Sequence, residues 1–214
     1  LTDIRGTAYF SHEGVCAFDA VAVPSFEAVC ADKHDYALAT KIEYEEHDAV
    51  RGKAILQPHG SGCLVVNPPA MPLNQKELDA VYALPFAREV HPMYDEQGGV
   101  AAIEEVRFSV AHNRGCFGAC NFCSLAFHQG RIISSRSHES VLREVEALTK
   151  HPGFKGYIHD VGGPTANFRR PACKKQMKAG LCKHRACLSP AACPNLDADH
   201  TDYLMLLRKL RAIP

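Results

Sequence analysis

Arg114-Gly-Cys-Phe-Gly-Ala-Cys-Asn-Phe-Cys123, RGCFGACNFC, places three thiols within eight residues, and no fourth cysteine follows until Cys173. A structural zinc site closes its tetrahedron with four protein ligands. Three close cysteines therefore point to a metal site with one coordination position left open. Upstream, Val106, Phe108 and Val110 alternate with polar residues, as a strand with one buried face does. Downstream, Ser137 is placed to cap a helix whose Val141, Leu142, Val145 and Leu148 share one face. Glu139 with Arg143 and Glu146 with Lys150 form i, i+4 pairs on the other face. His151-Pro-Gly153 stops that helix, and GYIHDV at 156–161 is a short β-prone run ending at Gly162-Gly163-Pro164. The order is β, α, β, so the two strands are expected to be parallel and the fold α/β.

Composition excludes several classes. At 214 residues, 46% apolar and 22% charged, the chain is ordinary globular material. Lys plus Arg equals Asp plus Glu at 24 each, so no global field draws it to nucleic acid or anionic lipid. No apolar run reaches bilayer length and no signal peptide is visible, so no membrane partner is expected. The ten cysteines then suit a reducing cytoplasm, where clusters bind metal more often than they pair.

The first hundred residues show short elements. Ser25 is placed to cap one helix running from Phe26 past Tyr36 and Ile42. KAILQ (53–57) and CLVVN (63–67) flank PHGSG as a hairpin, and Asn74 with Glu77 has the spacing of a capping box. At the other end, Cys173, Cys182, Cys187 and Cys193 precede an apolar-faced helix over 202–212, with Thr201 as the expected cap. Between Asp160 and Asp197 there is no acidic residue, whereas Arg169, Arg170, Lys174, Lys175, Lys178, Lys183 and Arg185 are basic. The expected organisation is an α+β extension at 1–100, then a core at 101–214 with a Cys-rich insertion at 169–196.

Thiolates suit iron-sulfur clusters, and a four-iron cube with one iron free of protein accepts a small chelating molecule. Cys116-x3-Cys120-x-Phe122-Cys123 after a strand resembles the signature of the radical S-adenosylmethionine (SAM) superfamily. NPPAMPL, ELDAVYALPFAREVHPMY, EEVRFSVAHNRGCFGACNFC, FHQGRIISSRSHESVLREVEAL and GFKGYIHDVGGPTANFRRPACKK extend the resemblance to the YgiQ-type proteins of that superfamily. The resemblance implies an internal piece of a longer protein, built on the first half of a partial (β/α)6 barrel. It implies a 4Fe-4S cube on Cys116, Cys120 and Cys123, with SAM chelating the fourth iron. An external electron donor would reduce the cube, and SAM would split into methionine and a 5′-deoxyadenosyl radical that starts chemistry on an unidentified substrate. It also implies SAM contacts from Phe122 near the adenine, from Gly162 and Gly163 near the amino group, and from Arg136 or Arg131 near the carboxylate.

Plainer readings stand beside these. The three thiols could form a zinc site completed by His112 or His128, Phe122 could be core, the arginines solvated cations and the glycines a turn. Cys173, Cys182, Cys187 and Cys193 could bind zinc, hold a second iron-sulfur cluster or stay unmetallated, because their spacings are not C-x2-C pairs. The alternative function is a non-enzymatic zinc module that presents the basic segment to RNA or to a protein. Seven cations without interleaved aromatics are a weak nucleic-acid footprint.

Overall fold

The computed structural model describes residues 2–164 and 168–214. It divides into two compact units, the first formed by Leu1–Pro72, Phe117–Ile132 and Ala172–Leu196, the second by Leu73–Cys116, Ile133–Pro171 and Asp197–Pro214. Both are α/β, with mixed parallel and antiparallel pairing across the described sheets. No described helix is long and apolar enough to cross a membrane.

The first unit opens with β1 (Ala8–Ser11), β2 (Ala20–Ala22), α1 (Phe26–Ala31), α2 (Lys33–Glu46), β3 (Ala54–His59) and β4 (Gly62–Val66). The expected hairpin is β3–β4, with Leu56 opposite Val65. β1 joins antiparallel to β4 and β2 parallel to β3, giving the order β1-β4-β3-β2. Ala54 and Val65 are fully buried beneath it. The single helix expected from Phe26 onward is two. Ser25 caps α1 as read, but Asp32 takes an extended φ of −130° and accepts a 2.7 Å hydrogen bond from the His34 N–H, restarting the helix as α2. An N-cap carboxylate satisfies donors that a continuous helix would bond through its own backbone.

The second unit begins with α3 (Gln75–Tyr82), where Asn74 and Glu77 form the capping box in both directions. A 3₁₀ turn (Pro92–Gln97), α4 (Ile103–Val106), β5 (Ser109–Ala111) and β6 (Asn113–Arg114) follow. The strand expected from Val106 starts only at Ser109. Val106 belongs to a helical turn and is 58% exposed, Phe108 lies in the turn between, and only Val110 of the three alternating positions is in the strand. After α5 (Leu125–Gln129), which belongs to the first unit, come β7 (Ser134–Ser135), α6 (His138–Thr149) and β8 (Asp160–Gly162).

Ser137 caps α6 as expected, and β8 pairs parallel with β5, Val110 opposite Val161. The run from 156 yields a strand only at its last residues, beginning at Asp160. A β-α-β unit is therefore present, while the sheet carrying it holds two strands among the described residues. α7 (Gln176–Ala179) belongs to the first unit, and α8 (Thr201–Leu210) closes the second. Thr201 is the first residue of α8 rather than its cap; its N–H and hydroxyl both donate to Asp199. Phe108, Val110, Val141, Val145, Leu148 and Leu206 form the core of this unit. Burying such side chains contributes roughly 1.5–3 kcal/mol each, which makes the α6–β5–α8 contact its main source of stability.

Candidate metal and cofactor site

The three-cysteine loop leaves β6 through Gly115, at φ +87°, and passes through a second left-handed residue, Ala119, at φ +51°. Left-handed backbone is natural for glycine and strained for alanine, so the local path is imposed by its surroundings. Cys116, 8% exposed, ends a stretch of the second unit, while Cys120 and Cys123 belong to the first. The Cys123 N–H donates to the Cys120 carbonyl at 3.0 Å, which folds that part of the loop before α5. All ten cysteines are thiols rather than disulfides.

Cys120 and Cys123 line a cavity of about 920 Å³ that lies within the first unit. Its other walls come from the Tyr36–Tyr44 face of α2, from Phe127 and from the segment Lys183–Arg185. Phe122 is 93% exposed, which removes the reading that it packs in a core.

In the second unit, Gly162 and Gly163 stand where β8 ends. A Cβ on Gly163 would lie 1.8 Å from Asn113 Oδ1, and one on Gly162 would lie 2.5 Å from an Asp160 carboxylate oxygen. Close approach to the buried Asn113 side chain, not backbone torsion, favours glycine at 163, whereas the exposed Asp160 side chain beside Gly162 can move aside. The His112 N–H donates to the Gly162 carbonyl at 2.9 Å. The His112 ring is fully buried, and among the described residues neither of its nitrogens has a hydrogen-bond partner; nor does Asn113 Oδ1. Burial, helped by the nearby Arg169 charge, pushes the His112 pKa down to about 4, so the ring is neutral at pH 7.

The arginines are neither solvated nor open. Arg136, expected near a bound carboxylate, is fully buried; its guanidinium donates to the Ala111 carbonyl at 2.9 Å, to the Ser140 carbonyl at 2.9 Å, to the Ser140 hydroxyl and to Glu144, and lies over the Tyr82 ring. Burial lowers its pKa to about 10, leaving it charged at neutral pH. Arg169 donates to the Arg136 carbonyl at 2.6 Å, to the His112 carbonyl at 3.3 Å and to Asp202 at 2.5 Å. Arg131 is 4% exposed and stacks 4.4 Å from the Tyr44 ring centre. Part of the basic segment is neutralised: Arg170 pairs with Asp197 and Asp199, and Lys183 with Glu46.

Cys173, Cys182, Cys187 and Cys193 all belong to the first unit. The Cys193 N–H donates to the Cys187 carbonyl at 2.9 Å, and burial pushes the Cys187 thiol pKa up. What seats this segment is distant in the chain and was not legible near the cysteines. Asp48, 1% exposed, accepts from the N–H groups of Val50 and Leu181, each at 2.8 Å, and Arg51 donates to the Leu181 carbonyl. Glu46 accepts from the Lys53 N–H and from Lys183. Cys182 is thus flanked by two residues tied to the turn after α2. Gly180, at φ +70°, lets the chain pass Asp48, because a Cβ would lie 2.2 Å from its Oδ2. Among the described residues, no three His, Cys, Asp or Glu side chains gather closely enough to hold one metal ion.

Comparison with known proteins adds the following. A family model described as "Radical SAM N-terminal" matches residues 1–109, ending before Cys116. A UPF0313 protein of Clostridium botulinum is 53% identical over 214 residues, covering 100% of this chain and 33% of the relative. A UPF0313 protein of Clostridium perfringens is 54% identical over 194 residues, covering 91% of this chain and 29% of the relative. The chain thus spans about a third of the length of the curated relatives it matches. No solved structure matches it.

Proposed function

The chain belongs to the Radical SAM N-terminal family, as a YgiQ-type member of the radical SAM superfamily, and from that premise we propose that it is part of a radical SAM enzyme holding a 4Fe-4S cluster on Cys116, Cys120 and Cys123. The observation that carries the reading is the three-thiol loop itself: soft donors at two short spacings, with Cys120 and Cys123 on the wall of a large cavity. The donor chemistry fits the group, since three thiolates leave one iron of a cube for SAM. Cys116, Cys120 and Cys123 would hold the cluster, which, reduced by an external donor, would supply the electron for SAM cleavage and so start radical chemistry on a substrate.

The chain's own residues have three tasks in this reading. Gly162 and Gly163 let backbone approach SAM closely, beside Asn113 and His112. Phe122 offers an open ring face for the adenine. Arg136 holds the framework, joining Ala111 at the end of β5 to Ser140 and Glu144 on α6, and so keeps the β5–α6–β8 unit in register. That unit would open a partial (β/α)6 barrel, with 1–100 as its N-terminal extension, in a cytoplasmic enzyme.

Anaerobic reconstitution with iron and sulfide tests this. The reduced chain should show a 4Fe-4S EPR signal that changes when SAM is added and disappears in Cys120→Ala. A reduced spectrum indifferent to SAM would overturn the reading.

A further inference from the structure

We propose that the cavity between the C-terminal turn of α2 and the β3–β4 face binds a small primary ammonium compound with a short apolar body. The site lies wholly within the first unit, and nothing in it depends on a cluster at Cys116, Cys120 and Cys123.

The cavity has a volume of about 320 Å³, near the lower end of the range for small-molecule sites. Strand register makes its floor. Ile55 stands opposite Val66 and Gln57 opposite Leu64, and residues two apart on a strand face the same way, so these four side chains share one side of the sheet. The end of α2 makes its roof, where Glu43 and His47, four residues apart, come to the same face. Phe127 of α5 closes one side, its ring centre 5.6 Å from that of His47.

The polar groups on these walls ask for a cation that donates hydrogen bonds. The last turn of α2 carries Glu43, Glu45 and Glu46 and no basic residue, although the carbonyl end of a helix favours positive charge. Glu46 is satisfied by Lys183 and by the Lys53 N–H. The Glu43 carboxylate makes no ion pair or hydrogen bond among the described residues, and partial burial raises its pKa. A carboxylate that has lost some of its water without gaining a partner favours a cation beside it.

Asn67 supplies an independent sign of a ligand. It is 3% exposed, and its amide nitrogen donates to the carbonyls of Thr2 and Ile4 at 3.0 and 2.9 Å and to the Thr7 hydroxyl at 3.2 Å. Those acceptors fix which end of the amide is which. Its Oδ1 is left as an acceptor on the cavity wall, buried and without a partner among the described residues. His47 Nε2 is likewise buried and unpartnered there, and burial lowers the ring's pKa, so it is neutral at pH 7 and can offer a lone pair.

An ammonium has three N–H donors and no acceptor, the complement of Glu43, Asn67 and His47. Its carbon chain would lie against Ile55, Leu64 and Val66. A neutral alcohol could serve Asn67 but would leave Glu43 unanswered, and a carboxylate would meet Glu43 as a like charge. Lys53, also on the wall, is exposed rather than folded into the space. Phe127 also lines the larger cavity at Cys120 and Cys123, so the ligand would sit one side chain away from it.

The test titrates the 214-residue chain, as purified and before any reconstitution, with n-butylammonium in a calorimeter, with n-butanol and butyrate as controls. The amine is expected to bind at least about tenfold more tightly than either control. No binding of the amine, or equal binding of butanol, would overturn the proposal. In Glu43→Gln, which removes charge without breaking an internal contact, affinity for the amine should fall about tenfold. Val66→Trp, which fills the cavity from its floor, should abolish binding. Unchanged affinity in a variant whose circular dichroism matches the parent would overturn the proposal, and if one variant misfolds the other decides. Because no iron is added, the result stands apart from the cluster reconstitution, whose failure would leave amine binding intact.

Discussion

The carboxylate of Asp48 accepts a hydrogen bond from the N–H of Leu181, 133 residues further along the chain, at 2.8 Å. It does so while 1% exposed, beside Arg51, so one buried charge ties the N-terminal sheet region to the four-cysteine segment. Replacing Asp48 by Ala leaves the N–H groups of Val50 and Leu181 unpaired. We expect a loss of about 3 kcal/mol of stability in urea melts. Amides from Leu181 to Lys183 should exchange faster. A loss below about 0.5 kcal/mol would show that water replaces the carboxylate freely.

Arg136 and Glu144 form a second buried pair, which Arg88 joins. Removing one partner strands the other, so Arg136→Met is expected to cost about 3–5 kcal/mol. Arg136→Lys should recover little, because a single ammonium cannot reach Ala111, Ser140 and Glu144 together. Full recovery by Lys would contradict this account.

His112 predicts a pH dependence. Its folded pKa of about 4 lies below the ordinary value of 6.5, so the unfolded chain binds a proton more readily than the folded one. Stability from this group is therefore complete above pH 6.5 and falls as pH drops towards 4, by an amount on the order of 3 kcal/mol. Asp202 acts lower on the scale: burial raises its pKa, but Arg169 and His138 more than offset this and hold it below the usual carboxylate value. His112→Phe, which keeps a ring against Tyr203, should flatten the curve between pH 6.5 and 4. An unchanged slope in that variant would rule His112 out as the source.

Gly163→Ala tests the approach of β8 to Asn113. The added methyl would meet Asn113 Oδ1 at 1.8 Å, so a loss of about 1–3 kcal/mol is expected. Asn113→Ala should relieve it, and the double-mutant cycle should show coupling above about 0.5 kcal/mol. Strict additivity would mean that the two residues do not touch.

The features legible in the sequence are those fixed within a few residues. Asn74 and Glu77 cap α3, Ser25 and Ser137 cap α1 and α6, and the β3–β4 hairpin forms around its turn, because each needs only local hydrogen bonds. Asp32 was legible too, as a capping residue type, but the helical spacing on either side masked the restart. What stayed hidden depends on distant partners. Nothing near Arg136 or Arg169 in the chain announces that carbonyls at 111 and 112 will bury them, and nothing near Cys182 points to Asp48. Phe122 carried two readings, core packing or a contact near the adenine, and its exposure removes only the first.

That exposed ring separates two pressures that usually act on one residue. Covering a phenylalanine side chain is favourable by roughly 1.5–3 kcal/mol, and at position 122 folding collects almost none of it. The gain is left to whatever molecule arrives, so this position is free to evolve with the visitor rather than with the scaffold.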